Sequence, residues 1–333
     1  MSGMEISPQT SNKIANLSFV CALLVCTVHI HWTFATDAGR LVSALFRHVL
    51  GICAVQYFFL AAGFFLARHC GEVGWWRTAV RKRVRTLFVP YLVWLSIYAI
   101  LMLCLERRWV GGVCGYGINP FGEPMLVPLW FLRTLMIFVL VSAWLEKALK
   151  RWDLRLLCGL WILSLALAVL TGSGVISLES PMGTLLGHTF SLDGLFYFSL
   201  GMRLAWKPVP LSRVWTSVCW VATLLLVGLY LCCVRFGWRC PVNLPSLVFP
   251  PLIAVLWQLT PSLRFPRALL RATFPIYLMH SIVFAVLTSL GLFMGSAVAD
   301  WCRFAAGVGI PILLSSSLSR GTRLADVLFG GRS

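Results

Sequence analysis

Apolar residues gather along this chain in runs of 18 or more, each long enough to cross about 30 Å of hydrocarbon. Windows of about 19 residues place helices near 14–34, 44–68, 86–106, 127–147, 154–171, 189–206, 213–234, 244–260, 269–290 and 296–318. The connections are too short to hold a soluble domain. The expected fold is therefore all-α: a polytopic bundle of about ten transmembrane helices over residues 14–318, with short tails at 1–13 and 319–333. The N-terminus lacks the basic segment and small-residue cleavage site of a signal peptide, so the first apolar run reads as a retained helix.

Polar positions then give an orientation. The second connection carries Arg68, Arg77, Arg81, Lys82, Arg83 and Arg85 against Glu72. The fourth has Lys147, Lys150, Arg151 and Arg155, the sixth Arg203, Lys207 and Arg213, and the eighth Arg264, Arg267 and Arg271. Odd connections are poorer in Lys and Arg: the third balances Arg107 and Arg108 with Glu106 and Glu123, and the fifth has Glu179 alone. The seventh, with Arg235 and Arg239, is a mild exception. The positive-inside rule puts the even connections and both termini in the cytoplasm.

Composition agrees: 59% of the 333 residues are hydrophobic and 12% charged, where a soluble domain carries about 25% charged. The net charge of +17 is mainly this loop charge and not a nucleic-acid footprint. Twelve cysteines without a C-x-x-C pair indicate neither a metal site nor a disulfide scaffold. Cys232, Cys233 and Cys240 flank one loop and are candidates for a single bridge. The stretch "RKRVRTLFVPYLVW" sets a basic run at the membrane surface, with Trp76, Tyr91 and Trp94 as interface candidates. It reads either as a stop signal with lipid contacts or as an anion site for a phosphate-bearing co-substrate, held by Arg81, Lys82, Arg83 and Arg85.

Ionisable groups inside a span are costly and are functional candidates by default. Four stand out: His29, Arg133, Asp193 and His280. From the rise of about 1.5 Å per residue, His29 lies roughly 20 Å and His280 roughly 17 Å from the inner boundary. Arg133 and Asp193 lie roughly 9 Å and 6 Å below the outer one, so the four share a band from mid-membrane to the outer third. A neutral imidazole there can take a proton from a hydroxyl or hand one on. Arg133 keeps its charge and needs an anion: Asp193, a substrate or an oxyanion. Thr273, Tyr277 and His280 fall on one helical face, a polar stripe expected to point into the bundle toward His29 and Arg133. The two imidazoles are then expected within roughly 10 Å of each other on one cavity.

In their order these segments resemble the integral-membrane acyltransferase-three family, over residues from about 12 to 318. "NKIANLSFVCALLVCTVHI" resembles its first helix ending in a histidine, and "VQYFFLAAGFFLARH" its Phe-Phe and Ser-Gly-Phe segment. "RKRVRTLFVPYLVW" resembles its basic run with Pro-Tyr, and "PLWFLRTLMIF", with Trp130, its Trp-Phe-Leu helix. "LFYFSLGMRL" resembles its glycine-bearing Phe-rich segment, and "TFPIYLMH" its Ile-Tyr-Leu-x-His helix. Two positions depart: Ser18 stands where the family commonly has an arginine eleven residues before the histidine, and Ala62-Gly63 replaces Ser-Gly. Lys13 is a candidate substitute for that arginine.

The resemblance implies transfer of an acyl group, most simply acetyl from acetyl-CoA, to a hydroxyl of a cell-envelope glycan or related acceptor in a bacterial inner membrane. His29 would be the catalytic histidine, with Arg133 or His280 orienting the acceptor or the oxyanion, and Asp193, Tyr277 and Trp130 in support. Acyl-CoA enters as co-substrate, with no permanently bound cofactor, no metal and no nucleic-acid partner; membrane lipids are the other neighbours. The competing reading is a transporter or flippase for a lipid-linked or polymeric glycan, since transporters also hold polar groups at mid-membrane.

Overall fold

The computed structural model describes residues 7–106 (apart from 31 and 35), 128–177, 183, 185–238 (apart from 211), 244–260, 264–318 and 322–331. Every regular element among them is helical, as backbone groups in hydrocarbon must bond within their own segment. In chain order they are α1 (Pro8–Val28), α2 (Asp37–Ala67), α3 (Trp75–Arg83, continuing through Val84–Phe88 and Val89–Glu106) and α4 (Leu129–Trp152). Then come α5 (Leu154–Gly172), a short π-helical turn (Leu185–Thr189), α6 (Leu192–Trp206), α7 (Arg213–Phe236), α8 (Leu244–Leu259), α9 (Arg267–Arg271), α10 (Thr273–Ser289), α11 (Ala297–Ser317) and α12 (Arg323–Phe329).

Among the described residues seven of these helices are long and apolar enough to cross a membrane: α1 to α5, α7 and α11. The other three that answer to predicted spans are shorter, with 15 residues in α6, 16 in α8 and 17 in α10. The chain is a multi-pass membrane protein whose short helices lie against longer ones.

Charged connections explain how the ends are tied. Asp153, between α4 and α5, accepts from Arg203 Nε at 2.6 Å and from Lys207 Nζ at 2.9 Å. Hydrogen bonds from Lys207 and Arg203 hold its carboxyl below the ordinary carboxylate range. Trp206 Nε1 donates to the Ala67 carbonyl, so the second, fourth and sixth connections meet at one end. At the other, Arg235 lies 3.0 Å from Asp37, joining the seventh connection to the first. The basic residue that broke the charge rhythm therefore has a local partner.

Several expectations are corrected. The first helix stops at Val28, not near 34, so His29 caps it instead of lying within it. Just beyond it, Asp300 Oδ2 accepts from Thr33 N at 2.6 Å and from Thr33 Oγ1 at 2.8 Å, pinning the chain after the histidine to α11. Tyr91 and Trp94 are not interface groups; both are buried, and Trp94 Nε1 donates to the Leu328 carbonyl. That bond docks α12 on α3, so part of the expected C-terminal tail is packed structure. Cys232 and Cys233 are free thiols, and Cys240 lies outside the described residues, as do Arg107, Arg108, Glu123, Glu179 and Arg239.

One seam sets the backbone spacing around the site. A Cβ built on Gly63 of α2 meets the Phe198 carbonyl carbon at 2.8 Å, and one on Gly201 of α6 meets that of Leu60 at 2.9 Å. Each glycine admits the other helix's backbone, the close approach that small residues allow between membrane helices. The glycines of "AAGFF" and "SLGMRL" are thus two halves of one contact.

Candidate active site

His280 lies in the middle of α10, fully buried at 0% exposure, and its ring centroid is 5.1 Å from that of His29. The two come from opposite ends of the sequence. α1 delivers His29 at the point where the helix gives out, and α10 packs beside it along its length. The expected approach of the imidazoles therefore holds.

His280 Nδ1 lies 2.9 Å from the Ile276 carbonyl. A carbonyl only accepts, so Nδ1 carries the proton in this bond and Nε2 presents a lone pair. That Nε2 is buried and has no hydrogen-bond partner. An unmet buried acceptor beside a second imidazole is a place where a proton can arrive. Tyr277, one turn before, has its ring 6.4 Å from that of His280 and donates its hydroxyl hydrogen to the Pro128 carbonyl. Phe131, at 5.6 Å from Tyr277, and Phe284, at 5.8 Å from His280, close the apolar walls. The expected stripe does face inward. The residues assigned to other faces, Ile276, Val283 and Leu287, are buried too, because α10 is surrounded at this level.

A cavity of about 880 Å³ runs from the basic end of the bundle to Tyr277. Its outer wall carries Arg68, Lys82, Arg83 and Arg271, and its inner part is lined by Phe131, Phe274 and Tyr277. The cavity thus combines a cationic mouth with an apolar interior. Neither imidazole lines it; Tyr277 stands between, so the expectation that both histidines open onto this space fails. Of the four basic residues singled out from the sequence, Lys82 and Arg83 line the cavity, while Arg81 and Arg85 face solvent. Arg68 and Arg271 had been read as topological charge alone. Their place at the mouth depends on helix rotation, which loop composition does not reveal.

Ser18 lines the same cavity, with its Oγ donating to the Ile14 carbonyl at 2.7 Å. Lys13 does not stand in for the family arginine: it lies over the Trp257 ring at 4.6 Å and lines a different cavity.

The remaining candidates are held elsewhere. Arg133 Nη2 donates to Thr189 Oγ1 at 3.1 Å, and Asp193 accepts from Ser164 Oγ at 3.3 Å in the first turn of α6. Among the described residues no ion pair joins the two. Trp130 packs on Phe59 at 6.1 Å and on Phe131, which in turn meets the Tyr277 ring. The site's direct geometry is therefore His29, His280 and Tyr277. Among the described residues no cluster of ligating side chains suits a metal ion. Sequence inspection passed over two ionisable residues within an apolar helix, Asp300 and Arg303, both buried in α11. Charge within a span was the signal that could have found them.

Residues 14–320 match the family model described as "Acyltransferase domain", the third acyltransferase family, while no curated protein and no solved structure matches the chain. That match takes in nearly every helix, both histidines and the cationic cavity. The chain belongs to the integral-membrane acyltransferase-three family and is a membrane acyltransferase.

Proposed function

We propose that the enzyme moves an acetyl group from acetyl-CoA to a hydroxyl of a cell-envelope glycan, from its place in a bacterial inner membrane. In this reading all ten matching helices cross the membrane and the basic end faces the cytoplasm. The observation that carries it is the alignment of a cationic cavity of about 880 Å³ with an imidazole pair, His280 buried and His29 half-buried, just beyond its inner wall. Acetyl-CoA joins a phosphate-bearing nucleotide to a flexible pantetheine arm that ends in the thioester, and its charge pattern fits this shape. Arg68, Lys82, Arg83 and Arg271 hold the phosphates, through charge-assisted bonds. They replace the charge absent at Ser18. The arm passes along Phe131 and Phe274 toward Tyr277.

His29 acts as general base. It takes the proton of the acceptor hydroxyl as the oxygen attacks the thioester carbonyl. The carbon–sulfur bond breaks, and the coenzyme thiolate leaves with the proton returned by the imidazolium. His280 Nε2, left as an unmet acceptor by the Nδ1 bond to Ile276, takes a hydrogen bond from His29 in the reacting complex, which leaves the other His29 nitrogen bare toward the hydroxyl. Movement of the Tyr277 ring joins the donor cavity to the imidazoles. Arg133 steadies the acceptor side.

The test is the purified chain with acetyl-labelled acetyl-CoA. Label should pass to a glycan acceptor, or to water in its absence, in a His29-dependent way. Consumption of no acyl-CoA would refute the donor assignment.

A further inference from the structure

Arg303 is an arginine within an apolar helix that forms no ion pair among the described residues. It lies six residues into α11, is only 8% exposed, and among the described residues has no carboxylate within 4 Å. Its Nη2 donates to Thr288 Oγ1 at 2.6 Å, its Nη1 reaches only the Met294 thioether at 3.9 Å, and its Nε has no partner. The one nearby acid on its helix, Asp300, spends its Oδ2 on Thr33. A guanidinium cannot shed its charge, and a buried charge without a partner is strongly unfavourable, so the site is built for an anion. The present occupant of the Nη1 direction is a poor one. A thioether is a weak acceptor, and Met294 is 54% exposed on the connection before α11, free to move aside.

The position relative to the imidazoles follows from α10. His280, Phe284 and Thr288 lie four residues apart on one face, which puts Thr288 about 12 Å beyond His280. Gly307, one turn from Arg303 on α11, lets the Phe284 ring lie against that helix, so Arg303 and Gly307 both face this row. Asp300 meanwhile pins Thr33, just after His29, to the same helix. The arginine is therefore on the side of the imidazole pair opposite the donor cavity.

We propose that Arg303, held by Thr288, is an oxyanion subsite for the acceptor: it takes a carboxylate or phosphate carried by the acceptor at the span of a short oligosaccharide from the reacting hydroxyl. This rests on the reading that the acceptor reaches the histidines from the end opposite acyl-CoA. A guanidinium offers a planar fork that suits both oxyanions, and a neutral acceptor would leave it unpaired.

The experiment is equilibrium binding to the full chain, purified in dodecyl maltoside without added lipid. The probes are a glucuronate tetrasaccharide, the same chain with its carboxyls reduced to alcohols, and a phosphorylated tetrasaccharide. At least one charged probe should bind the wild type about tenfold tighter or more than the neutral one, and the difference should vanish in Arg303→Gln. Arg303→Lys should keep part of it, and Thr288→Val should weaken charged-probe binding without abolishing it. Equal binding of charged and neutral probes to the wild type overturns the proposal with no variant needed, as does failure of every charged probe to bind. An unchanged preference in Arg303→Gln also overturns it. If phosphatidylglycerol binds in an Arg303-dependent way and no charged sugar does, the anion is a lipid headgroup and the acceptor assignment falls. Acetyl transfer measured alongside separates the two readings: binding preference without transfer refutes the proposed reaction, and transfer without preference refutes the subsite.

Discussion

Replacing Gly201 with alanine puts one methyl group into the narrowest place between α2 and α6. A Cβ there lies 2.9 Å from both the Leu60 carbonyl carbon and the Phe64 nitrogen, where ordinary carbon contacts fall at about 3.5–4.0 Å. The atoms in the way are backbone, so no side chain can swing aside, and the helices must part by roughly 1 Å at the contact. A gap of that size forfeits about a quarter to a half of the dispersion energy of the atoms that faced each other. Overpacking of this kind costs about 1–3 kcal/mol, and the rigidity of two buried helices argues for the upper end. Alanine regains about 1 kcal/mol over glycine as a helix former, leaving a net loss of about 2 kcal/mol. Gly228→Ala on α7 is the control, because nothing lies within 4 Å of a Cβ there and only the helix-propensity gain remains. Apparent melting temperatures, compared at one scan rate in one detergent, should fall by about 3 °C for Gly201→Ala and rise or hold for Gly228→Ala. Equal melting of the two variants would refute the seam as the determinant of α2–α6 spacing.

His29→Ala should lower acetyl transfer by about 10²–10⁴-fold with melting temperature near wild type, and His280→Ala should be milder; equal losses would mean the two imidazoles share the proton work. Arg83→Gln should weaken acyl-CoA binding by about tenfold or more while Arg81→Gln, outside the cavity, should not; the reverse pattern, read by equilibrium binding, would move the donor site. Asp153 supplies a pH test. Its folded carboxyl is depressed by Lys207 and Arg203, so its stabilisation is complete above the ordinary carboxylate value and is lost as pH falls through the lower folded one. The melting difference between wild type and Asp153→Asn should therefore be constant above about pH 5 and shrink below about pH 4, and a difference unchanged down to acid pH would dismiss the ion pairs.

The sequence by itself determined the helices and the imidazole pair's general place. In a membrane one variable, hydrophobicity along the chain, decides where helices lie, because unbonded backbone is not tolerated in hydrocarbon. The charge rhythm of the connections is equally one-dimensional, and Asp153 with Arg203 and Lys207 shows the basic connections gathered as that rhythm implies. His29 and His280 were legible because a polar group in an apolar run is conspicuous on the page. Tertiary structure alone decided the rest. α1 ends at Val28, and the chain beyond it is held by Asp300, 267 positions from its partner Thr33. Which basic residues face the cavity depends on helix rotation: Arg83 and Arg271 do, while Arg81 and Arg85, within two residues of Arg83, do not. Helix rise alone puts Arg133 and Asp193 in one band with the histidines, but they face Thr189 and Ser164, because position along a helix fixes one coordinate and packing fixes the other two. Arg303 is the sharpest case. Its charge is visible in the sequence, but its want of a partner exists only once α10 and α11 have packed around it.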